Sequence, residues 1–396
     1  MINANPTRFS EPLLTELNLK NIPTSTSIQP ASSQPKSKPG AGPTTATVSE
    51  KPDSAWMRFW FTPADPAGLH ALRIMAGLLF LFWLLPFAGN VPEFFSFKGW
   101  FDRTAYREWY FSSDMARLPA SQRPYLGWSL LFLVGENIGL VLAIYWSTIV
   151  VLVLFTLGLA PRILSVLTWI LVVSFVAFLA LAVGQSEDGL LANLAFYLMI
   201  GYVLLGQFSR DPTPVQRLVG YSALPFAGKA EQPSYAANLA VRLFQVNFAL
   251  IVVVGCLHKL QSGDWWSGVA LWYPLHNPFE TTSAQIHAVA PQRMSLLFFY
   301  SLSQYIVLAW QLSFPAWAWR QALFSRILLV GGGMVSFLGC LWIYQIPVIG
   351  AFYLVGCLAF LPATAWRRLG TYLGQFSPKK AAAESASHRT PASVQG

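Results

Sequence analysis

Charged side chains are scarce in this sequence. Only 11% of its 396 residues are Asp, Glu, Lys or Arg, whereas soluble domains carry about 25%. A chain with so little charge cannot cover itself with a soluble protein's surface. Its net charge of +9 is scattered between apolar runs, without the basic stripe of a nucleic-acid-binding protein. The composition therefore excludes an ordinary soluble domain, and we expect no nucleic-acid partner.

Cysteine and catalytic motifs are also rare. Cys256, Cys340 and Cys357 all lie in apolar segments, with neither the pattern of a disulfide framework nor metal-ligand spacing. We interpret them as small packing residues and predict no metal site. The chain has no nucleophile elbow, phosphate loop, dinucleotide fingerprint or haem motif. Residues 1–55 also lack the apolar region of a cleavable signal peptide.

Apolar and aromatic residues are abundant instead. Hydrophobic residues make up 54% of the chain and aromatic residues 15%, including 16 Trp. Long apolar runs and many tryptophans are typical of proteins that cross a bilayer and anchor at both of its interfaces. The sequence therefore predicts an all-α polytopic integral membrane protein with membrane lipids as its surroundings.

Eight apolar runs have about the length that a membrane span requires. They lie near 68–88, 138–160, 163–184, 189–206, 240–257, 294–313, 327–344 and 347–365. We expect one transmembrane domain over residues 56–369. Residues 1–55, rich in Ser, Thr and Pro, and residues 370–396 are predicted to be flexible, disordered tails.

The segment YLGWSLLFLVG, residues 125–135, leaves the number of spans open. It is apolar but short, and Glu136 and Asn137 separate it from the next run. We interpret it as an interfacial or re-entrant helix. If it spans instead, the count becomes nine and the C-terminus changes sides.

Basic residues predict the orientation. With eight spans, both termini share one side, which also holds most of the Lys and Arg residues near the helix ends. On the other side, two loops have no basic residue, and the long loop after the first span balances its basic residues with acidic ones. The positive-inside rule therefore places both termini in the cytoplasm of a bacterial plasma or inner membrane.

The stretch GCLHKLQSGDWWSG, Gly255–Gly268, is the strongest candidate site. It follows an apolar run and places His258 and Lys259 at the predicted outer end of a span. One interpretation is that Lys259 anchors the helix by extending to the headgroups. The other is that Lys259 is a partly desolvated base, with the positive charge of His258 disfavouring a second one beside it.

Neighbouring residues have two interpretations as well. Trp265 and Trp266 are either part of the aromatic belt or the walls of an apolar pocket beside Lys259, where Asp264 pairs with the lysine or orients a substrate. Arg73 lies in the first span, where a charge is costly. It either extends toward the cytoplasmic interface or serves a functional role, with His70 one turn away.

Several segments resemble the HTTM family, the so-called horizontally transferred transmembrane domain. The opening WMRFWFTPADPAGLHALRIMAGLLFLFW is similar in its Phe61, Pro63, Asp65, Leu69, Arg73, Ile74 and Gly77. Further similar segments are FKGWFD at Phe97–Asp102, RLFQVNFALIVVVGCLHKLQSGDWWSGVALWYPL at Arg242–Leu275, and AFYLVGCLAFLPATAWRRL at Ala351–Leu369. The resemblance covers about residues 56–369.

That resemblance implies a function. HTTM proteins are similar to the membrane part of vitamin K-dependent gamma-carboxylases, which oxidise a reduced naphthoquinone with oxygen. In that family a lysine at this motif deprotonates the hydroquinone, and the matching residue here is Lys259. The implied cofactor is a reduced, vitamin K-like quinone, with His258, Asp264, Trp265, Trp266 and Arg73 as candidate binding residues. The carboxylases carry a large further C-terminal domain, which does not follow the last predicted span here, so glutamate carboxylation itself is not expected. The alternative is a non-enzymatic scaffold, assembly partner, or lipid or solute carrier.

Overall fold

Apolar runs that are long enough to cross a bilayer must satisfy their backbone hydrogen bonds internally, and a helix does so without a partner. The computed structural model describes residues 54–110, 128–183, 188–205, 233–276, 284, 288 and 294–375. The predicted tails at 1–55 and 370–396 lie largely outside these residues.

The described helices are named in chain order. They are α1 (Ala55–Phe61), α2 (Ala67–Leu84), α3 (Val91–Phe95), α4 (Arg103–Tyr110), α5 (Leu130–Val134), α6 (Ile138–Leu157), α7 (Pro161–Val183), α8 (Asp188–Leu204), α9 (Tyr235–Leu260), α10 (Gly263–Ser267), α11 (Trp272–Leu275), α12 (Met294–Trp317), α13 (Leu323–Trp342), α14 (Pro347–Leu358) and α15 (Ala363–Gln375). A 3-10 turn, Leu85–Gly89, continues α2.

Six of the described helices are long and apolar enough to cross a membrane: α2 with its 3-10 turn, α6, α7, α9, α12 and α13. Helix α8 is apolar but shorter, with 17 residues. The prediction of an all-α membrane protein is confirmed at this level. Helix α9 is the longest, with 26 residues, and it contacts α2, α8, α12 and α14.

Two predicted boundaries are found in the structure. Helix α6 ends at Gly158, which adopts a left-handed conformation with φ 84°, and Pro161 begins α7. Proline suits the first turn of a helix because the N–H groups there have no intrahelical acceptor, so the absence of an N–H loses no hydrogen bond. A tight hairpin therefore connects these two spans. Residues 185–188, between the predicted spans 163–184 and 189–206, lie mostly outside the described residues.

The segment at residues 125–135 forms only the short helix α5 in its described part. A helix of five residues is about 7.5 Å long, far less than the apolar core of a bilayer, which is about 30 Å thick. This part of the segment therefore does not span as a helix.

The last predicted span, 347–365, is not a single straight helix. Helix α14 ends at Leu358, and α15 leaves at an angle of 107°. Pro362 explains the break, because proline lacks an N–H donor and its ring disfavours a helical conformation at Leu361. The 12 residues of α14 extend about 18 Å, and α15 then carries Arg367 and Arg368 out of the apolar run.

The beginnings of α2 and α9 are tied together at one end of the bundle. The backbones of Ala64 and Ser234 exchange two hydrogen bonds, of 3.1 and 2.8 Å. Asn238 donates from its side-chain nitrogen to the carbonyls of Phe59 and Trp60, both at 3.0 Å. Asp65 pairs with Arg367 from α15 at 2.5 Å, so the bent C-terminal segment is fixed to the same end.

Burial alone would raise the pKa of the Asp65 carboxyl. Hydrogen bonds from Arg367 and from the Ala67 N–H, with the charges of Arg367 and His70, outweigh burial and hold this pKa below its usual value. A carboxyl group with a lowered pKa in the folded state stabilises the fold above its unfolded pKa of about 3.9, and this stability is lost as the pH falls through the folded value.

Asp65→Asn tests this tie. Asparagine keeps the oxygen that accepts from Ala67 but removes the ion pair, so we expect a loss of about 1 kcal/mol or less at pH 7, since both partners are partly exposed. The difference between the two proteins should shrink as the pH falls below about 4. Thermal unfolding in detergent from pH 7 to pH 3 measures both effects. A difference that stays constant with pH would contradict the proposed role of the carboxylate.

The glycines at 331–333 predict close helix packing, and the structure separates their roles. A Cβ atom at Gly332 would lie 2.4 Å from the indole of Trp310 in α12, whereas a Cβ at Gly331 meets no atom within 4 Å. The indole is large and donates to the Leu328 carbonyl at 3.3 Å, so it cannot easily move away.

We therefore expect Gly332→Ala to destabilise the protein by about 1–3 kcal/mol through overpacking. Gly331→Ala is the matched control in the same helix, and we expect it to be neutral or stabilising by up to about 1 kcal/mol because alanine is the better helix former. Denaturant-induced unfolding in detergent micelles compares the two variants. Equal stabilities of the two variants would show that the Trp310 indole can move away from residue 332 without loss of stability.

Candidate functional site

Lys259 lies in the last turn of α9 and turns toward the protein. Its Nζ donates to Oε1 of Gln311 in α12 at 3.1 Å, and Gln311 is only 5% exposed. The lysine itself is half-buried. An anchoring lysine would extend to the headgroups, whereas this ammonium is held between two helices.

An aromatic ring covers the same ammonium. The Nζ atom of Lys259 lies 5.4 Å from the centre of the Trp265 ring, within the range of a cation–π contact. The ammonium also lies within electrostatic reach of the Cys256 and Cys340 thiols. Cys256 is one turn before Lys259 on α9, and Cys340 comes from α13. The direct contacts of the ammonium are thus an amide and an indole.

The turn after α9 is held in place by α12. Gln304 donates to the Trp265 carbonyl at 2.8 Å, Tyr305 to the Trp266 carbonyl at 2.7 Å, and Ser301 to the Gly268 carbonyl at 3.0 Å. Gly268 has φ +82°, and a Cβ atom there would lie 2.4 Å from the Ser301 hydroxyl. Glycine is therefore required for both the backbone conformation and the close approach.

Two buried polar atoms near this turn have no hydrogen-bond partner within the described segments. They are Oε1 of Gln304 and Nε1 of Trp272, and both side chains are almost completely buried, at 0% and 3% exposure. A buried polar group without a partner costs free energy. These atoms therefore provide one acceptor and one donor that are not used within the described part of the chain.

Three other residues predicted for this site, His258, Asp264 and Trp266, differ from Trp265 in their exposure. His258 and Asp264 are exposed, and within the described residues Asp264 forms no ion pair with Lys259. Trp266 is 62% exposed and donates to the Leu260 carbonyl at 2.5 Å. The structure therefore joins Trp265 to Lys259, whereas His258, Asp264 and Trp266 are exposed.

Arg73 belongs to a different cluster. It is fully buried, and its Nη1 donates to the Tyr202 hydroxyl of α8 at 3.3 Å. The same hydroxyl lies 2.8 Å from Nδ1 of His70. Arg73 is therefore enclosed within the helix bundle. Its hydrogen bond to Tyr202 connects α2 to α8, whereas Lys259 connects α9 to α12.

The sequence interpretation missed the polar side of α12. Ser301, Gln304, Tyr305 and Gln311 recur at helical spacing in an otherwise apolar segment, FYSLSQYIVLAWQLSF. Polar residues at such spacing lie on one face of a helix, and inside a membrane span they are expensive and commonly functional. This signal was available in the sequence, although it does not tell which helix the polar face contacts.

The fold and the buried polar cluster define the class of the protein, an all-α membrane protein with a lysine-centred polar site at one end of its longest helix. No protein-family model matches the chain, and neither the curated proteins nor the solved structures include one with significant similarity to it.

Proposed function

We propose that this chain is an HTTM-like, quinol-dependent membrane enzyme with Lys259 as its base. The observation that carries the proposal is the inward-turned Lys259, held by the neutral amide of Gln311 and covered by Trp265. Support also comes from the resemblance of Arg242–Leu275 to the family segment whose lysine deprotonates a hydroquinone.

The proposed topology has eight membrane-crossing segments. The six long helices, the 17 residues of α8 and the bent pair α14–α15 make up this number, with α8 at the short limit for a span. Both termini are then in the cytoplasm of a bacterial plasma or inner membrane, and Lys259 opens toward the outer face, within reach of a lipid-soluble quinol.

The surroundings of Lys259 suit proton transfer. A neutral amine at Nζ takes the proton of a hydroquinone hydroxyl, and the ammonium that forms donates to Gln311, the contact observed here. No carboxylate in the described residues pairs with this ammonium, so the proton is not held by a fixed ion pair. A site that exchanges a proton in each turnover needs this freedom.

The neighbouring groups suit a flat aromatic diol. The ring of Trp265 provides an apolar wall, and Oε1 of Gln304 provides a buried acceptor for a second hydroxyl. A bound hydroquinone would supply the reducing electrons: its anion, O2 and the proton held at Lys259 would together give the quinone epoxide and water, with the amine regenerated. His258, Asp264 and Trp266, which are exposed, would contact the outer part of the quinol.

Lys259→Met tests the proposal, because methionine keeps most of the side-chain length but has no amine. The purified protein in lipid nanodiscs is incubated with reduced naphthoquinones and oxygen, and the epoxide is followed by mass spectrometry. We expect the wild type to form epoxide and the variant to be slower by about 100-fold or more, the usual contribution of a general base.

Lys98→Met is the matched control, because Lys98 is exposed and lies outside the site. It should retain the wild-type rate. Turnover that survives Lys259→Met would remove the lysine from the mechanism. If neither the wild type nor the control forms epoxide with any of several quinones, the result would favour the non-enzymatic scaffold or carrier.

A further inference from the structure

A cavity opens at the opposite end of α9 from Lys259. It is small, with a volume of about 140 Å³. Its polar lining includes Asp65, Asn238, Arg242, Gln245 and Gln321, and its aromatic walls are Trp319 and Phe360. The lining comes from the start of α2, the first turns of α9, the connection between α12 and α13, and the bend before α15.

Arg242 supplies a positive charge to this cavity. Its guanidinium lies 4.7 Å from the centre of the Phe59 ring, and its Nη1 donates to Oε1 of Gln245 at 3.1 Å. Gln245 is 6% exposed and is fixed in turn, since it donates to the Ala359 carbonyl at 2.8 Å and accepts from Trp319 at 3.1 Å. The guanidinium is therefore positioned by a rigid neutral amide.

The charges around the cavity do not cancel. Asp65 is its only acidic lining residue among those described, and this carboxylate is already paired with Arg367. Within the described segments Arg242 has no carboxylate partner, so one positive charge remains uncompensated. Guanidinium groups bind tetrahedral and planar oxyanions through paired N–H donors, and Arg is favoured where such recognition is needed.

The cavity lies at the level of the bundle where lipid phosphates are expected. Arg242 and Lys259 are separated by about 26 Å along the axis of α9, at about 1.5 Å per residue. The apolar core of a bilayer is about 30 Å thick, so the two cations lie near its opposite faces. The α1–α2 connection, the α12–α13 connection and the bend before α15 all line the cavity at the Arg242 end, as expected at an interface.

We propose that this cavity is a phosphate-binding site in which Arg242 holds the anion and Trp319 and Phe360 flank the attached group. The phosphate is that of an anionic lipid headgroup or of a free phosphate ion, which share this chemistry. The site is independent of the chemistry at Lys259, since it uses different residues at the other end of α9.

The test is native mass spectrometry of the purified protein released from detergent, with phosphatidylglycerol and diacylglycerol of the same acyl chains as probes. The two lipids differ in their phosphate-bearing headgroup. We expect the wild type to bind phosphatidylglycerol at least about 10-fold more tightly, as one charge-assisted contact provides. Arg242→Gln should remove this preference.

Two further variants separate binding from folding. Gly68 lines the cavity, and a Cβ atom at this position meets nothing within 4 Å, so Gly68→Leu fills the space without removing any charge. It should also abolish the preference. Arg320→Gln is the matched control, because Arg320 is exposed and lies beside Trp319 in the chain but does not line the cavity; it should bind as the wild type does.

Inorganic phosphate distinguishes the two sources of the anion. Displacement of phosphatidylglycerol by millimolar phosphate would assign the site to free phosphate as well as lipid, and resistance to displacement would assign it to the lipid headgroup. A preference for phosphatidylglycerol that survives both Arg242→Gln and Gly68→Leu would overturn the proposal. Should Arg242→Gln fail to fold, the Gly68→Leu result decides alone.

Discussion

The need to satisfy charged side chains on an apolar helix is the constraint on which this structure depends. Helix α9 carries Arg242 near its start and Lys259 in its last turn. Leaving either cation without a partner in an apolar environment would be costly. Helix α12 provides Gln311 for one, and α9 itself provides Gln245 for the other. Gln311 thereby fixes α12 at one end of α9, and Gln245 holds Ala359 and Trp319 at the other end.

The helices themselves could largely be predicted from the sequence. Hydropathy and proline positions are both local properties, and hydropathy located the six long helices. Pro362 was equally visible, but the apolar run continues up to it, and run length alone did not show that the chain bends by 107°. Hydropathy places the end of a span where the apolar residues end. A helix bends instead where a backbone hydrogen bond is missing, as it is at a proline.

The candidate site was predictable only in part, for a physical reason. Lys259 stood out because it is a cation at the end of an apolar run, and Trp265 followed it closely in the chain. Gln311 is 52 positions away and Cys340 lies on a third helix. Which helix faces which depends on the packing of complete surfaces rather than on any local pattern. Asp264, adjacent in sequence, is instead exposed and belongs to the short helix α10.

The hydrogen-bond partner of each cation distinguishes the cations that stabilise the fold from those that remain available to a ligand. Arg367 has a carboxylate partner, Asp65, and the pair fixes α15 to the start of α2. Lys259 and Arg242 have amide oxygens, which orient a cation by a hydrogen bond but do not neutralise its charge. A protein that needed these charges only for stability would gain more by pairing them with acids or by replacing them with apolar residues of similar size. Both are kept, each beside an aromatic ring and a rigid glutamine, near opposite faces of the membrane. That arrangement favours ligands whose negative charge pairs with the cation. Such a ligand would be an ionising hydroxyl at Lys259 and an anion at Arg242.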